Sequence, residues 1–134
     1  MVTVYDAEPN KLIRNAAEKL RGKVEKPAFV GIVKTGAHCV RPPIQEDFFL
    51  HRCASILRQA YVNGVIGTQR LRRHYGGRKR RGVKPARHMK SGGSTIRKAI
   101  QQLEKAGFLT KEKAGRKISA SGRKLLDSAA KESV

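Results

Sequence analysis

The chain has 134 residues, with 30 lysines and arginines against 10 carboxylates and a formal net charge of +20. That length allows one core of modest size, and so large an excess of one sign opposes compaction and favours a polyanion as partner. No apolar run is long enough to span a membrane, and the opening MVTVYDAEPN lacks the basic start and apolar stretch of a signal peptide.

In chain order, PNKLIRNAAEKLRGK (residues 9 to 23) places Leu12, Ile13, Ala16, Ala17 and Leu20 on one helical face. KPAFVGIVKTG follows. Its Phe29, Val30, Ile32 and Val33 suit a strand, whereas Pro27 at a first helical position suits a short helix, and periodicity leaves both open. The Pro42-Pro43 pair enforces an extended linker. Residues 46 to 63 predict a helix with Phe49, Cys53, Ile56, Leu57 and Ala60 in one stripe and Glu46 and Asp47 at its positive end. His51, Arg52, Ser55, Arg58 and Gln59 form its polar strip, expected to face outward. Thr68 is expected to cap a short helix whose Leu71 and Tyr75 dock on the core. Residues 76 to 93 read as a loop too rich in Gly and Arg to pack, mobile until it meets phosphate. Ser94 is expected to cap a helix with Ile96, Ala99, Ile100 and Leu103 inward. FLTKEKAGRKIS then reads as a hairpin around Ala114-Gly115, and Ser121 opens a last helix with Leu125 and Leu126 inward.

From residue 46 onward the order is helix, short helix, helix, hairpin, helix. This is the winged helix-turn-helix plan, the third helix reading and the hairpin forming the wing. The expected class is mainly α: a helical bundle around a central amphipathic helix, with a winged-helix core at 46–134, a small β-hairpin wing and an N-terminal helical extension at 1–45. The whole chain, 1–134, is expected to be one domain.

Chemistry-bearing clusters are few. His38-Cys39 and His51-X-Cys53 offer zinc-type ligands, but side chains two apart on a helix diverge by about 200°, and Cys53 lies in the apolar stripe. Two cysteines and no other ligand set predict reduced thiols in an intracellular protein with no metal or cofactor. No Ser-His-Asp pattern or Walker loop is present, so no enzyme is expected. Ser91-Gly92-Gly93-Ser94 before a helix can cradle a phosphate through backbone amides, or serve merely as cap and hinge.

The basic constellation is the informative one. Residues 48 to 103 carry fourteen cations and no acid. Arg52 and Arg58 lie on the central helix, Arg70, Arg72 and Arg73 on the short helix, and Arg97 and Lys98 on the reading helix. The loop adds Arg78, Lys79, Arg80 and Arg81, then Lys84, Arg87 and Lys90. Any one exposed arginine is unremarkable. Fourteen cations without an intervening acid repel one another unless a polyanion screens them, and arginine matches phosphate with paired donors. His74 and His88 are open to stacking on unpaired bases, while Tyr61 and Tyr75 are expected in the core. A winged-helix DNA-binding regulator shares this plan, but the long basic loop and the spread of charge over several elements favour RNA.

The series QEDFFLHRCASILRQAYVNGVIGTQRLRRHYGG, RG-X-X-P-X-R-H, SGGSTIRKAIQQLEKAGFL and GRKISASGRKLLD closely resembles the archaeal and eukaryotic family of small-subunit ribosomal protein nineteen. MVTVYD and VKTGAHCVRPP extend the likeness over nearly the whole chain. The resemblance implies a winged-helix core bound to ribosomal RNA in the head of the small subunit, and a role in subunit assembly and RNA maturation. It implies a monomer within the cytoplasmic ribosome, neighbouring small-subunit proteins as partners, and no membrane. The family's basic positions fall on Arg52, Arg58, Arg97 and Lys98, and its glycines near the wing on Gly115 and Gly122. It also implies a helix over residues 28 to 34. Phe48-Phe49 stand where the family usually has a tryptophan, and keep an apolar aromatic there.

Overall fold

The computed structural model describes residues 2–134 and contains five α-helices and two small antiparallel sheets among them. A short 3-10 turn over Val4–Asp6, held by the Asp6 carboxylate accepting from the Thr3 amide at 2.9 Å, leads into α1 (Pro9–Leu20). Proline fits the first turn of α1 because its missing N–H would have had no partner there. Leu12, Ala16, Ala17 and Leu20 recur at helical spacing and are buried.

The central element is α2 (Phe48–Asn63), in which Phe49, Cys53, Ala54, Ile56, Leu57 and Ala60 are buried. An apolar surface that wide requires neighbours on several sides. It packs against α1 on one side and α4 on another. The helix begins at Phe48, so Asp47 is its N-cap and Glu46 lies outside. Gly64, with φ 83°, ends it.

After β1 (Val65–Ile66) come α3 (Thr68–Tyr75), β2 (Gly77–Arg81), β3 (Lys84–Met89) and α4 (Gly93–Lys105). Then follow β4 (Leu109–Glu112), β5 (Gly115–Ile118) and α5 (Ala120–Ser133). The exit from α4 satisfies its last carbonyls in the left-handed cap pattern: Phe108 N donates to Leu103 O at 2.9 Å and Gly107 N to Glu104 O at 3.1 Å. Gly107 supplies the required φ of 87°. Leu125, Leu126, Ala129 and Ala130 of α5 close the core. Lys19 Nζ to Glu132 Oε1, 2.8 Å, and Asn15 Nδ2 to Ser133 Oγ, 2.7 Å, tie its end to α1.

The three-stranded sheet has the order β1-β5-β4, antiparallel throughout, with Val65 opposite Lys117 and Leu109 opposite Ile118. The hairpin expected at residues 108 to 119 is therefore present. β1, which the sequence reading passes over, becomes its third strand.

Five local expectations need correction. Residues 77–89 are not an unpacked loop but a two-stranded hairpin, with Gly77 opposite Met89 and Lys79 opposite Arg87. Gly82, at φ 69°, makes the turn. Residues 28 to 34 form neither the implied helix nor a strand but consecutive turns with an isolated Val30–Val33 bridge. Only Val30 of that apolar run is buried, while Ile32 is 75% exposed, so no helical face is packed. α4 has its N-cap at Gly92, two residues before Ser94, and α3 at Gly67, one before Thr68. α5 starts at Ala120 because the Ser119 hydroxyl accepts from Gly122 N at 3.2 Å, so Ser121 lies inside it.

Candidate nucleic-acid interface

The fourteen cations lie on α2, α3, the β2–β3 hairpin, α4 and Lys90 beside it. Among the described residues, ion pairs join Glu8 to Lys11, Lys19 to Glu132, Arg21 to Glu18 and Glu104 to Arg116, and Asp47 shares a hydrogen bond of 2.9 Å with His51. None involves any of the fourteen. The carboxylates lie on or beside α1 and α5, at the start of α2, at the end of α4 and on β4.

The cations differ in what they touch. Arg97 and Lys98 are exposed on the outer face of α4, whose inner face buries Ile96, Ala99, Ile100 and Leu103. Arg70 and Arg73 are likewise exposed. Arg72 Nε donates to Ser91 O at 2.9 Å, and Arg72 O accepts from Ser91 N at 3.0 Å, pinning the end of the hairpin to α3. Arg72 and Arg97 meet over Gly93: a side chain there would come within 3.3 Å of Arg72 Cδ and 3.6 Å of Arg97 Nη2. Two guanidinium groups thus flank the first turn of α4, where no side chain caps the amides.

The polar strip of α2 is not outward as expected. His51, Arg52, Ser55, Arg58 and Gln59 are all half-buried, and Tyr75 at the end of α3 is what partly covers it. Ser55 Oγ and Tyr75 Oη share a hydrogen bond of 2.6 Å. The Arg52 guanidinium lies 4.0 Å from the Tyr75 ring centre and 5.1 Å from that of Phe48, a cation–π arrangement on two rings. Burial lowers the Arg52 pKa from its ordinary value and raises that of Tyr75, in the latter case against the Ser55 hydrogen bond and the nearby arginines. Arg52 therefore joins α2 to α3. Arg58 Nε is buried without a partner.

In the hairpin, cations face cations. Lys79 stands opposite Arg87 and Arg81 opposite Lys84, with a register shift between Lys79 and Arg81. Like charges directly across a ladder oppose pairing. Arg81 Nε donates to Pro85 O at 2.9 Å, the one side-chain tie across the turn. Arg78, Arg80, Lys84, Arg87 and Lys90 are exposed. His88 is exposed opposite Arg78, and His74 stacks edge-on to Tyr75 at 4.8 Å.

Of the thiols, Cys53 is fully buried, and burial pushes it up to about 12. Cys39 Sγ lies 3.2 Å from Thr35 Oγ1 and 3.4 Å from His38 Nε2. No group of three or more His, Cys, Asp or Glu side chains among the described residues is placed to hold a metal, and no helix there is long and apolar enough to cross a membrane.

Fold and composition together define a small, mainly helical, strongly basic protein in which fourteen cations of residues 48 to 103 make no ion pair among the described residues. The family model described as Ribosomal protein S19e matches residues 3–134. The small ribosomal subunit protein eS19 of Aeropyrum pernix is 44% identical, the match covering 98% of this chain and 90% of that one. The protein of the same name from Haloarcula marismortui is 42% identical over 97% of this chain and 90% of its own. Small ribosomal subunit protein eS19A of Schizosaccharomyces pombe is 40% identical over 94% and 90%. The chain belongs to the ribosomal protein S19e family, and so is a ribosomal protein rather than an enzyme.

Proposed function

We propose that this protein is a structural constituent of the small ribosomal subunit, binding ribosomal RNA in the subunit head and supporting subunit assembly and RNA maturation. The observation that carries the RNA contact is the absence, among the described residues, of any ion pair at the fourteen cations. Relatives named as small-subunit proteins over nearly the full length support the ribosomal setting. In this reading the chain is one winged-helix domain: α3 and α4 form the helix-turn-helix pair, β4 and β5 the wing with β1 as its third strand, and α1 an extension. A single apolar cluster running from α1 through α2 and α4 to α5 favours one domain. The protein acts as a monomer in the cytoplasmic ribosome, beside neighbouring small-subunit proteins.

Phosphate contact is electrostatic and ion-releasing. If roughly six to ten of the cations meet phosphates, affinity falls about 10³- to 10⁵-fold between 50 and 200 mM salt. The test is sedimentation of the tagged protein with the small ribosomal particle, followed by a salt wash. Release only at high salt is the expected result. Sedimentation apart from the particle, with dimers bound to a palindromic DNA duplex, would instead establish the DNA-regulator reading that the same fold plan permits.

A further inference from the structure

Beside the hairpin lies a groove of about 470 Å³ that the fourteen cations only partly describe. One wall is β2, with Arg78, Lys79 and Arg80. The other is the turn segment ahead of α2, with Lys34, Ala37, His38, Cys39 and Val40. That volume falls within the range of ligand clefts, roughly 300–1,000 Å³.

The far wall is fixed to the hairpin rather than draped over it. Thr35 O accepts from Gly92 N, Gly36 forms an antiparallel bridge with Ser91, and the His38 ring is seated between two glycines. A Cβ at Gly36 would stand 2.8 Å from His38 Cε1, and one at Gly77 would stand 2.7 Å from His38 Cδ2. Neither contact is tolerable for a real side chain, so glycine at both positions is what lets the ring lock the segment to β2. Locking leaves Val40 92% exposed and Lys34 exposed at the groove's rim. The result is a pre-shaped cleft with cations on both walls, apolar Ala37 and Val40 on one of them, and no carboxylate in its lining.

We propose that this groove seats an unpaired nucleotide of the bound RNA, its base against Val40 and Ala37 and its flanking phosphates on Lys34 and on Arg78 or Arg80. The proposal rests on the RNA-binding reading above and adds to it a second wall that the basic elements alone do not contain. Three features favour a nucleotide. Four cations converge where only an anion relieves their repulsion. An exposed apolar surface between them matches a base plane. The cleft lies between a strand and a backbone turn, and an A-form duplex is too broad to enter it, whereas a splayed single strand presents base and phosphate together.

Cys39 in the groove and buried Cys53 provide the readout. The full chain is alkylated with iodoacetamide in the presence of a single-stranded hexaribonucleotide of mixed sequence, a blunt RNA duplex, or a polyglutamate peptide, and binding is measured in parallel by anisotropy. The single strand is expected to slow Cys39 alkylation at least threefold. Lys34→Ala with Val40→Ser, both at exposed positions, should weaken the single strand about five- to tenfold, as loss of one phosphate contact implies, abolish the protection, and change duplex affinity less than about twofold. Unchanged alkylation at saturating RNA overturns the groove, as does equal loss of single strand and duplex. Protection by polyglutamate but not by RNA also overturns it, by assigning the cleft to an acidic protein segment. The general reading is tested separately by Arg97→Ala with Lys98→Ala, which lies outside the groove. A wild type that binds neither RNA removes both readings, and one that binds RNA without protecting Cys39 removes the groove alone.

Discussion

Gly115→Ala should be among the most damaging single-methyl changes in the molecule. Gly115 opens β5 with φ 151°, a backbone region that side chains rarely adopt. Such strain costs about 1–3 kcal/mol. A Cβ there would also strike the carbonyl oxygen of Ile66 and come within 3.1 Å of Val65 Cγ1, so β1 must move. Ile66 is 2% exposed and part of the core, and forced displacement of packed structure adds roughly another 1–3 kcal/mol. Gly107→Ala is the matched control. It has φ 87° but nothing within 4 Å of the added methyl, so it bears only the left-handed penalty of about 1–2 kcal/mol. For a chain of this length each kcal/mol lowers the melting temperature by about 3–5 °C. Melting followed by circular dichroism should therefore place Gly107→Ala several degrees below wild type and Gly115→Ala well below that, by about 6–30 °C in all. Equal losses in the two variants would refute the claim that β1 is held against β5 at a distance only glycine allows.

Other outcomes follow from the same geometry. Arg97→Ala with Lys98→Ala should weaken RNA binding at least tenfold at 100 mM salt, two phosphate contacts being lost, with melting temperature almost unchanged because both side chains leave the α4 surface outward. Deleting 78–90 removes no residue of the buried apolar core, so a folded protein is expected by circular dichroism but poor incorporation in a reconstitution assay. Hydrogen bonding to His51 holds the Asp47 carboxyl below its ordinary 3.8. The stabilisation is present above the unfolded-state value and is lost as pH falls through the folded one. Acid titration of His51→Ala should lack that component, and an unchanged acid limb would contradict the pair. Cys53 should resist alkylation until the chain unfolds, whereas Cys39 reacts in the native state; equal rates would place Cys53 wrongly.

The helices were readable wherever burial imposes the 3.6-residue period, as at Leu12, Ala16 and Leu20 or Ile96, Ile100 and Leu103. The β2–β3 hairpin was not, because strands are recognised by alternation of apolar with polar residues, and Gly77–Arg81 is glycine and cations on both faces. Its signal is of another kind: two polar runs of similar length about a glycine at 82. β1 escaped because two residues carry no period, and its pairing with Lys117 and Arg116 is made across fifty residues of chain. In the candidate site, the exposed positions of Arg97 and Lys98 follow from the helix face. The contact of Arg52 with Tyr75 joins two elements whose approach no local spacing reports, and so a residue expected to point outward proves half-buried.

The hairpin shows why a basic surface is not merely a by-product of composition. A two-stranded ribbon standing on its own is marginal in water, and each like-charge pair across its ladder weakens it by about 0.2–1 kcal/mol. Lys79 opposite Arg87 and Arg81 opposite Lys84 are two such pairs, and Val83 at the turn is fully exposed with nothing to pack on. The base of the ribbon is supported by Arg72, Ser91 and the His38 ring, but its tip is held by little beyond backbone bonds and the Arg81 tie to Pro85. Replacing either member of each pair by threonine would strengthen the ladder in the free protein. Cations at all four positions fit the proposed RNA contact: a polyanion lying along this segment would turn the charges that oppose the fold alone into the contacts that complete it.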